Sequence, residues 1–210
     1  DDVYLPDKLA VQVPLLRDAP PEVGVIFGPV ELIGPQGEPL PTPKWPAVPE
    51  GDIFLPLLHQ NFVLAMGTLV RRSCYDKVGL YDENLPFEDW DMWLRLAKEY
   101  KFVYSPQVSA RYRKHPGSVF DTRKKEMEEG SLLLLNKHRG CSKAADVAIK
   151  AQVRTRSELL YQLGGSHAAQ WLRLRWQDDH SLQSLGLYLL AKLGISGRRI
   201  MQAQALLGRR

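Results

Sequence analysis

The chain has 210 residues, 44% of them hydrophobic and 25% charged, with a formal net charge of +4. This is near the average composition of soluble globular proteins, with enough apolar residues for a core. No run reaches the ~18 apolar residues that a bilayer span requires. The mild positive charge comes without zinc-finger spacing or an aromatic-basic motif, so no nucleic acid partner is expected. Cys74 and Cys141 match no ligand spacing and read as free thiols of a reducing compartment.

Taken in chain order, Pro6 stands at a first-turn position and opens a short helix over about 6–16, with Asp2 upstream as its cap. Pro14 removes an amide donor inside that helix and is expected to kink or shorten it. Residues 23–27 form a compact apolar strand. Residues 30–33 form another, which leaves through the turn Gly34-Pro35-Gln36-Gly37 into an extended segment. Prolines 39, 41, 43, 46 and 49 exclude helix and central strand, so that stretch reads as an extended surface loop, with Trp45 partly exposed in it as a candidate lid. A short helix over 51–59, a buried strand over 62–71 and a helix over 73–78 stopped by Gly79 come next. A helix over about 89–100 follows, then strands at 102–104 and 108–113. From about residue 121 onward no strand pattern survives. Helices are expected over 122–138, 144–163, 166–176, 182–193 and 197–207, with Gly164-Gly165, Gly194 and Gly208 at their ends.

The stretch richest in chemistry is 80–96. There Glu88 and Asp89 stand side by side after Pro86, where a helix-period apolar run begins. That places a carboxylate at a fixed elbow rather than on a freely solvated face. An Asp at this place caps the helix and complements its dipole, or takes a proton from a reacting group; the two roles are compatible. Trp90 and Trp93 lie three apart on one helical face, which suits core packing, while Trp90, next to the acid, also suits stacking on a ligand ring. A strand-like run over 111–118 carries His115 at its end, and the chain opens on Asp1 and Asp2. His59, His138, His167 and His180 show no partner spacing and read as surface or helix-terminal residues.

Three elements in this order and spacing resemble the family 2 glycosyltransferases of the GT-A fold. They are Asp1-Asp2-Val3-Tyr4-Leu5-Pro6-Asp7-Lys8-Leu9, then Glu88-Asp89-Trp90-Asp91-Met92-Trp93-Leu94-Arg95, then Tyr112-Arg113-Lys114-His115-Pro116-Gly117-Ser118. The resemblance covers about the first 120 residues. It implies an α/β fold: a partial GT-A type mixed sheet with flanking helices over 1–120, followed by an all-helical region over 121–210. It implies an inverting transfer in which Asp89 is the catalytic base. Asp1 and His115 are then metal ligands for a divalent cation, Mn²⁺ or Mg²⁺, that bridges the donor diphosphate. Glu88, Trp90 and Arg113 become substrate-binding residues, Arg113 as a phosphate donor. The implied partners are a nucleotide-sugar donor and a glycan or lipid-linked acceptor, in the cytoplasmic assembly of bacterial surface glycans.

The family's domain normally begins with a nucleotide-binding half upstream of the metal motif. The expectation is therefore the C-terminal half of such a domain, a poor enzyme and weak donor binder when isolated. Two other readings remain: a noncatalytic helical interaction module on a degenerate transferase scaffold, and a metal-dependent hydrolase using the same acids. The last forty residues hold seven Lys or Arg against two Asp. Their amphipathic segments over 182–193 and 197–207, flanked by Arg198-Arg199 and Arg209-Arg210, read as helices packed on the domain or as a peripheral contact with an anionic membrane face.

Overall fold

The computed structural model describes residues 1–42, 48–118 and 122–200. Trp45, Gly208, Arg209 and Arg210, and most of the helix expected over 197–207, lie outside the described residues. The chain divides into two compact units, Asp1–Ser118 and the residues beyond.

The first unit is mixed α/β, as expected. Strands β1 (Val3–Tyr4), β3 (Val30–Ile33) and β6 (Ala110–Arg113) form one sheet in the order β1-β6-β3, with β6 antiparallel to β1 and parallel to β3. Strands β2 (Val23–Phe27), β4 (Thr68–Val70) and β5 (Lys101–Tyr104) form the other, with β2 central, antiparallel to β4 and parallel to β5. Every residue of β2 is buried, which is why its sequence is a continuous apolar run rather than an alternation. The chain passes from one sheet to the other twice at the same level, at Gly28-Pro29 and over 105–109. There the Ser105 amide donates to the Phe27 carbonyl at 2.8 Å and the Ser109 amide to the Pro29 carbonyl at 3.3 Å. The backbones run close: a Cβ on Gly28 would stand 2.6 Å from the Ser105 carbonyl oxygen, and one on Gly67 would stand 2.7 Å from that of Gly28.

Helix α1 (Lys8–Asp18) runs through Pro14 and ends two residues later than expected. Proline removes only the donor that Ala10 would have received, and Ala10 is exposed, so water can serve its carbonyl. The inner face of α1 carries Lys8, Gln12 and Leu16 at four-residue spacing. Asp2 does not cap this helix. Asp7 precedes it, and the Asp2 carboxylate instead accepts the Arg113 amide at 2.9 Å, which ties β1 to β6.

The buried strand expected over 62–71 is a correction. A short 3₁₀ turn, Ala65–Gly67, leads into the three-residue edge strand β4, whose residues are only half-buried. Helix α2 (Phe54–His59) is shorter than expected, because Gly51 first makes a bridge to Phe102. Helix α3 (Arg72–Val78) ends at Gly79, whose φ of 80° favours glycine. Helix α4 (Glu88–Ala97) buries Trp90 through Leu94, Leu96 and Ala97. Within it, Asp91 accepts from Arg95 Nε at 2.8 Å, and the Arg95 guanidinium also reaches the Val78 and Leu80 carbonyls at 2.5 and 2.8 Å. An internal Arg–Asp pair thereby fixes the loop that delivers the chain to α4.

In the second unit the described elements are all helices: α5 (Lys124–Asn136), α6 (Lys143–Leu163), α7 (Ala168–Asp179) and α8 (Leu182–Lys192), each packed on the next. Ser142 caps α6 by accepting the Ala145 amide at 3.1 Å, and Gly164 closes it in the left-handed region. Ser181 caps α8 in the same way. His138 is buried just past the end of α5, so of the two places expected for it, surface or helix-terminal, it takes the second. Cys74 is buried and Cys141 exposed, both as free thiols. Among the described residues no helix is long and apolar enough to cross a membrane.

Candidate active site

Asp89 sits in the first turn of α4, half-buried. Its carboxylate accepts the Trp90 amide at 2.6 Å and faces the Asn61 side-chain amide at 3.4 and 3.5 Å. Its pKa is raised from 3.8 to about 6, chiefly by loss of water. The Trp90 amide pulls it down, the neighbouring charge of Glu88 pushes it further up, and Asn61 pulls it down again. A carboxyl poised close to neutral suits a group that must accept a proton during turnover. Asn61 was not visible as a partner from sequence, because 28 positions separate it from Asp89 and nothing in the 62–71 segment resembles a motif. Its Oδ1 accepts the Val63 amide at 3.3 Å, which orients the side chain so that Nδ2 faces the acid.

Glu88 is exposed beside it. Trp90 is a correction: the indole is 3% exposed, Nε1 donates to the Leu57 carbonyl at 2.8 Å, and Phe87 packs edge-on against it. It anchors α4 to α2 and offers no open face to a sugar. Tyr81 is the exposed aromatic in this neighbourhood. Its ring lies 6.1 Å from that of Tyr75, with the two hydroxyls 3.4 Å apart. Burial of its hydroxyl, the Tyr75 contact and the charges of Asp89 and Glu88 all push its pKa up.

A second cluster forms where β1 and β6 pair. Asp1 Oδ2 lies 3.2 Å from His115 Nε2, with both side chains partly exposed. The structure thus brings together the two residues singled out as metal ligands, 114 positions apart. Among the described residues no group of three or more His, Cys, Asp or Glu side chains could hold a metal. The donor set is therefore one carboxylate oxygen and one imidazole nitrogen. A carboxylate oxygen and an imidazole nitrogen are donor types that a divalent ion accepts, and such an ion would need further ligands from outside the described residues. Arg113 lies beside the pair, but its guanidinium is committed to main chain: Nε donates to the Asp1 carbonyl, and Nη1 to those of Gly34 and Pro35, each at 3.0 Å. It clamps the Asp1 backbone in place. Among the described residues no hydrogen bond or ion pair joins Asp89 to this second cluster.

Lys8, from the first motif, is 3% exposed. Its ammonium donates to Gln12 Oε1 at 2.7 Å and the Thr68 carbonyl at 2.9 Å, and lies 5.0 Å from the centre of the Tyr4 ring. Burial pulls its pKa down to about 8. Gln12 in turn donates to the Gly67 carbonyl at 2.9 Å. These two side chains bind the helix after the Asp1 strand to the turn that leads back toward Asn61. Two polar residues four apart on the inner face of α1 were the available signal.

Residues 56–131 match the family model described as glycosyltransferase like family 2. The resemblance read from the motifs is thereby borne out over a segment that contains Asn61, Tyr81, Glu88, Asp89, Arg113 and His115. The chain is also 25% identical over 134 residues to an uncharacterized glycosyltransferase of Rickettsia prowazekii and 24% identical over 134 residues to one of Rickettsia typhi; each alignment takes in 61% of this chain and 42% of the relative. An uncharacterized glycosyltransferase of Rickettsia felis is 24% identical over 147 residues, 68% of this chain and 22% of that protein. The chain spans less than half the length of these relatives. The likenesses support a role in glycosyl transfer.

Proposed function

We propose that the chain carries the base and metal-binding portion of an inverting glycosyltransferase, which moves a sugar from a nucleotide-diphosphate donor to a hydroxyl acceptor in bacterial surface-glycan assembly. The observation that carries this reading is the environment of Asp89. It is a carboxyl with a pKa near 6, oriented by the Trp90 amide and Asn61, at the head of a helix otherwise packed in the core. An acceptor hydroxyl is a weak nucleophile until its proton begins to leave. Asp89 takes that proton as the new bond to the anomeric carbon forms and the bond from that carbon to the diphosphate oxygen breaks, with inversion. Base assistance of this kind is worth about 10²–10⁴-fold.

Asp1 and His115 would hold the divalent ion, and the ion, when bound, offsets negative charge growing on the departing diphosphate. Arg113 keeps the Asp1 backbone in place for this through the carbonyls it binds. Tyr81 supplies an exposed ring for the acceptor.

The test is a transfer assay of the full-length protein with Mn²⁺, a panel of uridine, guanosine and thymidine diphosphate sugars, and glycan or lipid-linked acceptors, read by product mass and anomeric configuration. Acceptor-dependent product of inverted configuration supports the reading. Free sugar released without an acceptor identifies a hydrolase, and no metal-dependent donor binding at all removes the enzymatic reading.

A further inference from the structure

We propose that the helical unit docks on an anionic lipid surface through a basic cavity and the exposed apolar side chains beside it. The inference does not rest on the transfer reading. It starts from an uneven distribution of charge. Residues 1–118 carry 12 Lys and Arg against 16 Asp and Glu, whereas residues 119–210 carry 16 against 8. A chain that is nearly balanced as a whole is therefore acidic in one part and strongly basic in the other, which points to a partner for the basic part alone.

The basic charge is gathered in space. Lys124 and Lys125, at the start of α5, and Arg198, more than seventy residues later, line one open cavity of about 270 Å³ together with Arg123 and Glu126. The one acid in that lining, Glu126, is paired with Arg123 at 2.7 Å. Lys124, Lys125 and Arg198 are all exposed. From Ser181 to Arg210 the sequence contains no acid. Among the described residues no ion pair engages Lys192, Arg198 or Arg199.

Exposed apolar side chains run along α8 and into the segment that leads to Arg198. Leu182 and Leu193 are 87% and 75% exposed, and Leu189 and Ile195 are exposed as well. Arg198 follows Ile195 by three residues and Leu193 by five, which limits their separation to a few residue lengths. The Ile195 carbonyl accepts the Tyr161 hydroxyl at 2.5 Å, which holds this stretch against α6.

Large aliphatic side chains set among exposed cations match the boundary between lipid headgroups and acyl chains, where the former bury apolar area and the latter meet lipid phosphate. A nucleic acid would satisfy the cations but not the leucines, and it favours exposed aromatic rings for stacking. In this unit Trp171 is buried and Trp176 is stacked on Tyr188, the rings 6.3 Å apart and 8° from parallel.

The test is flotation of the full-length protein with phosphatidylcholine vesicles, with and without 30% phosphatidylglycerol as probe. Binding to the anionic vesicles is expected to exceed binding to the neutral ones by at least about tenfold and to fall steeply between 0.1 and 0.5 M salt. The combined change Lys124→Glu, Lys125→Glu and Arg198→Glu should abolish that preference. Leu193→Ser should weaken binding to anionic vesicles severalfold without removing its salt dependence. These residues are all exposed, so thermal melting should stay within a few degrees of the parent. Equal binding to neutral and anionic vesicles, no binding to either, or an undiminished preference in the triple variant overturns the proposal. So does tighter binding to a short single-stranded RNA than to anionic vesicles. An inorganic phosphate titration that saturates while vesicles do not bind would assign the cavity to a free anion, and it too overturns the proposal.

Discussion

The side-chain amide of Asn61 lies 3.4 Å from one carboxylate oxygen of Asp89 and 3.5 Å from the other. It is a donor aimed at a group whose pKa is close to neutral, so it stabilises the charged form. Replacing Asn61 with Ala should move the acid limb of the rate–pH profile upward from about 6 and lower turnover at pH 6.5 by about two- to threefold, while at high pH much of the loss is recovered. A merely structural role would lower the rate equally at all pH values. A rate–pH profile of Asn61→Ala beside the parent decides between them, and an unchanged acid limb removes Asn61 from the mechanism.

For Asp89 itself, activity and stability should move in opposite directions. Its folded pKa of about 6 lies above its ordinary value of 3.8, so between those values the folded chain holds the proton more tightly than the unfolded chain. Stability therefore falls as pH rises from about 4 to 6, and at pH 7 the carboxylate is a net cost to folding. Asp89→Asn should lower turnover by at least about 10²-fold with donor affinity nearly unchanged. The same variant should melt above the parent at pH 7 and together with it below pH 4. Steady-state kinetics, a calorimetric donor titration and thermal melts at the two pH values check all three. Near-normal turnover would exclude Asp89 as the base.

His115→Ala should raise the metal concentration needed for half-maximal activity, and more for Mn²⁺ than for Mg²⁺, because an imidazole nitrogen favours the softer ion. Half-maximal concentrations from parallel titrations with the two ions give the answer. Superimposable curves for variant and parent would mean that the 3.2 Å approach of His115 to Asp1 only ties the strand ends together.

Lys8 gives a prediction at alkaline pH. Its folded pKa is about 8 against an ordinary 10.5, so in that interval the unfolded chain binds the extra proton. Stability should rise with pH from 8 to 10.5 on account of this residue. Lys8→Met should remove that rise, leaving a flatter dependence set by the other groups. Urea midpoints measured at steps across the interval provide the comparison, and identical slopes would show that the ammonium is not dehydrated in the folded chain.

Much of the fold was legible because local signals there agree with tertiary demands. The apolar run over 23–27 became β2 with the expected bounds, and the glycine after Val78 ended its helix. The tail helices α5 to α8 follow the expected periodicity to within a few residues. What could not be read were features set by partners far along the chain. The segment over 62–71 looks like a strand, but Gly67 must slip past Gly28, and only three residues remain to pair with β2. Pro14 looks like a helix breaker, but Lys8 and Gln12 hold the preceding turns against the Gly67 and Thr68 carbonyls. At the candidate site the acids and His115 were visible as motif residues. Asn61 and the committed guanidinium of Arg113 were not, since both depend on contacts across 28 or more positions.

The double passage between sheets also sets how the first unit comes apart. Because β2 runs into β3 and β5 into β6 at one level, with Ser105 and Ser109 bonded across the junction, neither three-stranded sheet has a boundary at which it can open alone. Amide protons on both sides of the junction should therefore exchange with solvent as one cooperative group. Protection measured at the β6 amides beside Asp1 would rise and fall with that of β2, the most deeply buried strand of the other sheet. The strand pair beside Asp1 and His115 thus opens together with a strand that contributes no side chain to that cluster.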